Sequence, residues 1–420
     1  MVHLNCDKSG MRYFGTDGIR GAYHTFPITE AFAECLGFAI RAYSKKVKSD
    51  TLVLGRDTRF SGESLANAFC RGLGGSIRVL DMGVIPTPAV SRAILELKAD
   101  LGVVITASHN PFSDNGFKLL GPNGQKLSLM GLMFLEEQLE NLLLREELQE
   151  SQICFPEQLP CHEAFGDVYG AWLRSFLPER LPLGRLVIDA ANGATSSFVE
   201  KVFSNLGCEV VFVAKEPDGY NINADVGSEC VQFLSGKVLE HKADLGIAFD
   251  GDGDRCVLYD ALGQRIPGDQ VLGMFALDLE RRGMLSHHQC VATIVSNLGL
   301  EHTLNRCGIR VLRSEVGDAQ VWHQMVSANA NFGGESSGHI IFRDAAPGGD
   351  GMLTAIMFLS LLSRTRRSLQ ELQAEMKLFP QEICNLKVLE KIPLEELPGF
   401  LEGCRRLQKD MGCEGRVLVR

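Results

Sequence analysis

The sequence predicts an α/β protein of three similar domains, each with a mixed or parallel sheet, followed by a shorter fourth segment. Its 420 residues are enough for about two to four domains. Short apolar runs alternate with helical stretches, as in parallel βαβ units. The same order of strand-like runs also recurs three times. These three observations together indicate a repeated α/β architecture.

Each copy of the repeat contains three strand-like runs, although the last run of the third copy is weak. In chain order they are residues 51–57, 78–80 and 99–104, then 186–192, 209–213 and 243–248, then 291–297, 310–312 and 330–334. Helical stretches over 63–73, 88–98 and 197–206 lie between them. Ligands gather beyond the carboxyl ends of strands in open α/β sheets. The loops after the third runs are therefore expected to face one cleft, unless the apolar runs recur by chance.

Composition places the domain boundaries between these copies. A charged helix over 136–150 and an irregular, proline-bearing stretch over 151–160 end the first domain. An apolar helix over 352–362 ends the third. The predicted domains are residues 1–155, 156–260, 261–367 and 368–420.

Charge and cysteine usage restrict the possible partners and the compartment. The net charge is −10, from 42 basic and 52 acidic residues. This argues against nonspecific nucleic-acid binding, although a local basic cleft for a phosphate remains compatible. No apolar run approaches the ~20 residues of a membrane span. The 13 cysteines form no CxxC pair. We therefore expect a cytoplasmic protein with no nucleic-acid or membrane partner.

Ser108 is the first candidate for chemistry. It lies in Thr-Ala-Ser-His-Asn-Pro, directly after the apolar run 101–105, where a buried strand would release a hydroxyl into a polar turn. Serine is a weak nucleophile unless a neighbour takes its proton or a metal organises its surroundings. His109 is adjacent and Lys118 follows. A phosphate on Ser108 would carry about −1.5 to −2 charge and need cations nearby. The alternative is a serine that caps a helix.

The second candidate is an acidic cluster after the apolar run 245–249. Asp250, Asp252 and Asp254 alternate with glycines and offer oxygen ligands for a hard divalent cation. Arg255 and Ala261 stand where a calcium-binding EF-hand loop needs glycine and glutamate. The arginine instead indicates that an anion is bound together with the metal. A solvated acidic turn is the alternative. A hydroxyl that carries phosphate and a Mg²⁺ site together predict phosphoryl transfer.

The third loop offers a carboxylate, hydroxyls and an imidazole. Glu335, Ser337 and His339 lie in Gly-Glu-Ser-Ser-Gly-His. Such groups suit the hydroxyls of a sugar. By itself the segment is more typical of an ordinary polar loop.

Two segments near the start combine glycine with arginine. Residues 15–21 contain Arg20 in a glycine-rich stretch that also reads as a plain turn. Arg56 and Arg59 are expected to be structural ion-pair partners. The chain contains neither a Walker A loop nor a GxGxxG dinucleotide fingerprint. This disfavours ATP kinases of that type and NAD enzymes.

Taken together, these motifs resemble those of the α-D-phosphohexomutases over nearly the whole chain. The stretches that carry the resemblance are residues 14–21, 106–118, 250–255 and 334–339. Further stretches resemble the branch of that family that acts on glucosamine phosphates: residues 191–195, 221–227 and 376–381.

The resemblance implies four domains around one cleft and an interconversion of glucosamine 6-phosphate and glucosamine 1-phosphate. A phosphoserine would donate its phosphoryl group, glucosamine 1,6-bisphosphate would form and reorient, and the other phosphate would return. The implied partner is a small sugar phosphate, and a homodimer is compatible. The resemblance implies that Ser108 is the phosphoserine and that one Mg²⁺ per subunit is bound by Asp250, Asp252, Asp254 and a Ser108 phosphate oxygen. It implies that four residues contact the substrate: Arg255, Glu335, Ser337 and His339. It implies that His109, Lys118 and Arg20 assist proton transfer and charge balance.

The chain departs from the family pattern at two places. Ala319 and Gln320 follow Val-Gly-Asp, where the family has Arg-Tyr. Residues 415–420 match the strand that precedes the family's phosphate-binding loop, Ser-Gly-Thr-Glu-Pro, and the sequence ends there. A shortened fourth domain is therefore expected, and a shortened version of the sequence explains it more simply than a natural loss of the loop.

Other functions remain open at this stage. Glucose or mannose phosphates are the nearest alternative substrates, but Ser336 stands where those relatives commonly have methionine. A non-catalytic sugar-phosphate binding protein is a different class, opposed by the intact serine and aspartates. A phosphatase is a weaker alternative, because no environment for a single nucleophilic aspartate is evident.

Overall fold

The computed structural model describes residues 11–15, 17–144, 162, 164–384, 392–412 and 415–419. In this part of the chain the strands form three separate sheets, of five, four and four strands. Each sheet mixes parallel and antiparallel pairs. The predicted architecture of three α/β units with mixed sheets is confirmed.

The first unit has a five-stranded sheet in the order β1-β5-β4-β2-β3. Strands β2, β3 and β4 are parallel, and β5 runs antiparallel to both β4 and β1. The elements are β1 (Ile19–Ala22), α1 (Glu30–Val47), β2 (Thr51–Arg56), α2 (Gly62–Leu73), β3 (Arg78–Val84), α3 (Thr87–Leu97), β4 (Leu101–Ile105), β5 (Asp114–Leu120) and α4 (Leu129–Leu143).

The second unit has the sheet order β7-β6-β8-β9, in which only β9 is antiparallel to its neighbour. The elements are α5 (Ala164–Arg174), β6 (Arg185–Asp189), α6 (Val199–Phe203), β7 (Glu209–Val213), α7 (Val231–His241), β8 (Leu245–Phe249) and β9 (Cys256–Asp260). The helix expected over 197–206 is shorter than predicted. Asn205 and Gly207 both have positive φ angles, which an α-helix does not allow.

The third unit repeats the arrangement in the order β11-β10-β12-β13, with β13 antiparallel to β12. The elements are α8 (Gly268–Arg281), β10 (Gln289–Thr293), α9 (Leu298–Arg306), β11 (Arg310–Ser314), α10 (Asp318–Ser327), β12 (Phe332–Gly334), β13 (Ile340–Phe342) and α11 (Gly351–Thr365).

In the described part of the chain, two α-helices follow the third unit, α12 (Leu369–Gln373) and α13 (Phe400–Met411). The strand expected over 415–420 is not formed in 415–419. There the Val417 amide donates to the Gln408 side-chain oxygen and not to a neighbouring strand. The Arg416 guanidinium donates to the Ser296 carbonyl. The proposed boundary between residues 155 and 156 lies outside the described residues.

The repeat sets the place of the functional loops. Strands β4, β8 and β12 are the third runs of the three copies, and each pairs with the first run of its own copy and with an antiparallel strand that follows it. Both β4 and β8 are buried along their whole length. The loops that leave the carboxyl ends of these strands carry the three motifs singled out from the sequence.

The units share one apolar core and do not pack as separate bodies. A single cluster of buried side chains includes Ile94 of the first unit, Phe203 of the second and Phe275 of the third. A second cluster lies beneath α1 and α2 of the first unit. No helix of the described part is long and apolar enough to traverse a bilayer.

The α1–α2 crossing depends on two glycines. A Cβ at Gly72 would lie 2.0 Å from the Glu34 carbonyl oxygen, and one at Gly37 would lie 2.1 Å from the Phe69 carbonyl oxygen. Both obstacles are backbone, so neither can rotate away. The two helix backbones are therefore in direct contact.

We expect Gly72→Ala to destabilise the protein by about 1–3 kcal/mol, because the helices must separate. The measurement is the urea midpoint of unfolding followed by circular dichroism. Gly236→Ala is the matched control: this exposed glycine of α7 has no heavy atom within 4 Å of an added Cβ. There alanine should stabilise by about 0.5–1 kcal/mol. Equal midpoints for the two variants would contradict the close approach.

Candidate active site

Ser108 lies in a sharp turn between β4 and β5, in the segment 106–114 (the Ser108 loop). Its φ angle is +53°, a left-handed conformation that costs an L-residue about 1–2 kcal/mol. Its amide donates to Thr106 Oγ1 at 2.9 Å, and its hydroxyl donates to Asp250 Oδ2 at 2.6 Å. The side chain is buried. The fold therefore brings the candidate nucleophile into direct contact with the acidic cluster of the second unit.

Arg59 is hydrogen-bonded to the backbone of the Ser108 loop. Its side chain is fully buried and pairs with Asp57 at 2.9 Å, as expected for a structural arginine. Its other donors reach backbone carbonyls of the loop: Ser108 at 3.0 Å, Asn110 at 2.8 Å, Asp114 at 2.9 Å, and Pro111. One guanidinium thus satisfies four carbonyls that the irregular turn leaves without ladder partners.

Asp250, Asp252 and Asp254 lie in the segment 250–255 (the metal loop), and each offers an oxygen within 4.8 Å of the others. All three are buried. Among the described residues, Asp252 Oδ1 and Asp254 Oδ1 have no hydrogen-bond partner, which is costly for buried carboxylates unless a ligand satisfies them. The cluster offers only hard oxygen donors, so these residues fit a divalent cation such as Mg²⁺ or Mn²⁺.

Lys118 of β5 supplies a fixed positive charge to this cluster. Its Nζ lies 2.6 Å from Asp252 Oδ2 and 2.7 Å from Asp254 Oδ2. Burial opposes its charge, but the two carboxylates outweigh burial and raise the pKa of Lys118. Lys118 is therefore a cation near neutral pH, and it serves as a charge partner.

The three carboxyls do not titrate alike. Burial, and then the charges of Asp254 and Asp252, raise the pKa of Asp250 well above its usual value. Burial also acts to raise the pKa of Asp254, but Lys118 and His339 bring that pKa well below its usual value.

A cavity of about 260 Å³ opens between the three units, a size that suits one small molecule. Among the residues predicted from the sequence, those that line it are Arg20, Ser108, Asp254, Arg255, Glu335, Ser337 and His339. Asp250, Asp252 and Lys118 are buried beside it. His109 does not line it. The loops after β4, β8 and β12 therefore do face one cleft.

His109 is half-buried, and its Nδ1 has no hydrogen-bond partner. Burial and then the nearby Arg255 lower the pKa of His109. Its ring is therefore neutral near pH 7.

The third-unit loop is shaped by its own backbone and by the neighbouring turn. The Glu335 carboxylate accepts from the Gly317 amide at 2.9 Å, and the Glu335 amide donates to the His339 carbonyl at 2.9 Å. The His339 ring lies against Gly349, where a Cβ would come within 2.3 Å of Nε2. These contacts orient Glu335 and His339 toward the cavity.

An ionic chain that the sequence did not reveal crosses the cleft. Lys126, in the turn after β5, bonds Asp17 at 2.7 Å and also Asp318 of the third unit. Asp318 immediately precedes the Ala-Gln departure from the family pattern, and its charge is paired with this lysine of the first unit. His339 lies 3.8 Å from Asp254 and 3.9 Å from Asp318. Burial acts to lower the pKa of His339, but these carboxylates raise it to about 9.

Several other residues of the site lay outside the sequence predictions. Thr87, at the start of α3, donates to Asp252 Oδ2 at 2.5 Å. Asn223, between β7 and α7, donates to the Ser108 carbonyl at 2.8 Å. The only signal for Asn223 was its place in a polar, turn-forming stretch of the kind that resembles the glucosamine branch.

Comparisons with known proteins agree with this geometry. Models of the phosphoglucomutase/phosphomannomutase family match the chain in three places: α/β/α domain I at residues 11–144, domain II at 179–263 and domain III at 267–379. The phosphoglucosamine mutase of Pediococcus pentosaceus is 39% identical over 98% of this chain and 91% of its own length. That of Koribacter versatilis is 40% identical over 99% of this chain and 91% of its own length.

Solved structures show the same fold. A phosphoglucomutase/phosphomannomutase family protein from Burkholderia thailandensis is similar with a TM-score of 0.74 and 27% identity, over 88% of this chain and 80% of its own. The N-acetylphosphoglucosamine mutase of Aspergillus fumigatus, in complex with GlcNAc-6P and magnesium, has a TM-score of 0.65 and 14% identity, over 97% of this chain and 89% of its own. At that identity the second likeness supports the fold alone.

We expect Asp252→Asn to weaken Mn²⁺ binding at least about tenfold, because it removes one charged oxygen ligand. Equilibrium dialysis with Mn²⁺ measures this without reference to activity. Asp260→Asn is the control: Asp260, at the end of β9, uses its Oδ1 for the Leu262 and Gln264 amides, and asparagine keeps that oxygen. Unchanged Mn²⁺ affinity in Asp252→Asn would rule out this metal site.

Proposed function

This chain belongs to the phosphoglucomutase/phosphomannomutase family, and from that premise we propose that it interconverts glucosamine 6-phosphate and glucosamine 1-phosphate. It is an isomerase that works by phosphoryl transfer. The observation that carries the proposal is the 2.6 Å hydrogen bond from the Ser108 hydroxyl to Asp250. It joins a group that can carry phosphate to a cluster that fits a divalent cation.

The proposed reaction has two phosphoryl transfers through Ser108. In the first, the bond from phosphorus to Ser108 Oγ breaks, a bond to the free sugar hydroxyl forms, and that hydroxyl loses its proton. The product is glucosamine 1,6-bisphosphate, which reorients in the cleft. The lost proton ends on Ser108 Oγ. In the second transfer, the bond from phosphorus to the other sugar oxygen breaks, a bond to Ser108 Oγ forms, and the proton of Ser108 passes to the freed sugar oxygen. The enzyme ends in its starting form, and the phosphate has changed position on the sugar.

The charges around Ser108 suit this chemistry. We assign one Mg²⁺ per subunit to Asp250, Asp252, Asp254 and a phosphate oxygen on Ser108; such an ion neutralises charge on the transferring group. Two further cations, Arg20 and Arg255, line the same cavity.

We propose roles in proton transfer and charge balance for His109, Lys118 and Arg20. The neutral His109 ring has a buried Nδ1 without a partner, so we assign it to proton transfer. Lys118 is charged and held by two carboxylates, so we assign it to charge balance, together with Arg20.

The substrate assignments rest on the third-unit loop. We propose that Glu335, Ser337 and His339 bind sugar hydroxyls, because all three line the cavity and offer a carboxylate, a hydroxyl and an imidazole. Ser336 lines it as well. The two relatives at 39% and 40% identity are both named phosphoglucosamine mutase, which supports an amino sugar over glucose or mannose.

The remaining assignments concern the domain boundaries, the cellular location, the oligomeric state and the metabolic role. We propose domains at residues 1–155, 156–260, 261–367 and 368–420, a cytoplasmic location and a homodimer. The product would supply the synthesis of amino-sugar nucleotides and cell-wall precursors. The described cysteines are free thiols, as a reducing compartment requires.

We expect Ser108→Ala to abolish mutase turnover while leaving the fold intact, because the phosphoryl carrier is lost. Turnover is followed as glucosamine 1-phosphate formed, and folding by circular dichroism. Ser113→Ala, an exposed serine of the same loop, should keep full activity. Mass spectrometry of the purified wild type should find one phosphate on the peptide that contains Ser108. Full turnover in Ser108→Ala would refute the mechanism.

We expect kcat/KM for glucosamine 6-phosphate to exceed that for glucose 6-phosphate and mannose 6-phosphate by about tenfold or more. Ser336→Met should reduce this ratio, since it changes a cavity-lining side chain to the type common in glucose and mannose relatives. Equal kcat/KM values for the three sugars in the wild type would instead favour a general phosphohexomutase.

A further inference from the structure

We propose that Asn223 is a positioning residue that sets the Ser108 loop against the metal loop; this inference rests on the function proposed above. Asn223 belongs to the second unit, in the segment 216–225 (the tether loop) between β7 and α7. Its backbone is anchored in its own unit, because the Asn223 amide donates to the Ala191 carbonyl at 3.0 Å. Its side chain reaches out of that unit to the loop that carries the nucleophile.

The Asn223 side-chain amide makes two hydrogen bonds to the Ser108 loop. Nδ2 donates to the Ser108 carbonyl at 2.8 Å and to the Asn110 carbonyl at 3.0 Å. The same two carbonyls accept from Arg59 Nη2 at 3.0 and 2.8 Å. Each carbonyl is therefore held from two sides, by an arginine of the first unit and by an asparagine of the second.

The metal loop meets these groups at the same point. A Cβ at Gly251 would lie 2.6 Å from the Ser108 carbonyl oxygen and 2.8 Å from Asn223 Nδ2. Gly251 directly follows Asp250, which accepts from the Ser108 hydroxyl. The Asn223 amide thus lies where the two loops touch, and it links the Ser108 backbone to the unit that carries the metal ligands.

The amide is not needed merely to join the two units. Farther out, the Phe60 and Tyr220 rings stack at 4.6 Å, and the Phe60 amide donates to the Gly219 carbonyl at 3.0 Å. These contacts would survive the loss of the Asn223 side chain. Loss of the Asn223 side chain removes the hydrogen bonds from the second unit to the Ser108 and Asn110 carbonyls. Ser108 holds a left-handed conformation, so its hydroxyl direction depends on how its carbonyl is fixed.

Two substitutions separate the contribution of the Asn223 side-chain amide from that of the Asn223 backbone. Asn223 itself has a φ angle of +56°, which glycine adopts without strain, so Asn223→Gly removes only the side chain. Asn223→Asp keeps the size and the tolerance for this conformation but cannot donate. Asn221→Ala is the matched control, because the Asn221 side chain bonds only Glu216 and Asp218 of its own tether loop.

We expect both Asn223 variants to lower kcat about ten- to a hundredfold with KM within about twofold, since small misplacement of reacting groups costs rates of this order. Mn²⁺ affinity should stay within about twofold. Asn221→Ala should keep kcat within about twofold. Hydrogen exchange of the peptide 106–114 should be faster in Asn223→Gly and unchanged in Asn221→Ala.

The outcomes separate this inference from the function it rests on. Unchanged kcat in Asn223→Gly, or an equal loss in Asn221→Ala, overturns the positioning role. If the wild type shows no mutase turnover, the proposed function fails, and hydrogen exchange alone then decides: faster exchange of 106–114 in Asn223→Gly supports the tether, and equal exchange overturns it.

Discussion

The structure depends on the need to neutralise three carboxylates buried in one turn. Asp250, Asp252 and Asp254 follow a strand that is buried along its whole length, so water cannot solvate them freely. Buried charges of one sign are tolerated only when opposite charges or hydrogen-bond donors satisfy them. Most of these partners come from the other two units: Lys118 and the Ser108 hydroxyl from the first, and His339 from the third. The metal loop itself adds the Arg255 amide, which donates to Asp250 Oδ1 at 3.2 Å. The convergence of the three units on the metal loop follows from this electrostatic demand.

Close backbone approach makes this convergence possible. Gly251 lies against the Ser108 carbonyl, and a Cβ at Gly193 would lie 2.4 Å from the Gly251 carbonyl oxygen. Gly253 has a φ angle of +74° and packs beside Thr195. A side chain at any of these positions would clash with the atoms opposite it and push the loops apart. The glycines between the aspartates therefore determine how closely the loops approach each other, as well as the direction of the chain.

The parts of the site that could be predicted from the sequence are those that rest on local patterns. Strand alternation and its threefold recurrence are local patterns, so the sheets and the loops at their carboxyl ends could be predicted from them. Ser108 and Asp250 stood out because each directly follows a continuous apolar run. Lys126, Asn223 and Thr87 could not be found in this way. Each is a common polar residue in a turn or at a helix start, and its role exists only through a partner at least 100 residues away.

By itself the sequence determined that three α/β units repeat, and it predicted which loop of each faces the shared cleft and that oxygen ligands and a hydroxyl lie together there. These conclusions follow from periodicity and from the chemistry of neighbouring residues, both of which are properties of short segments. Only the tertiary structure decided that Lys118 pairs with Asp252 and Asp254, that Lys126 meets the charge of Asp318, and that Arg59 and Asn223 grip the same two carbonyls. Those contacts join segments far apart in the chain, where side-chain reach and burial decide the partners.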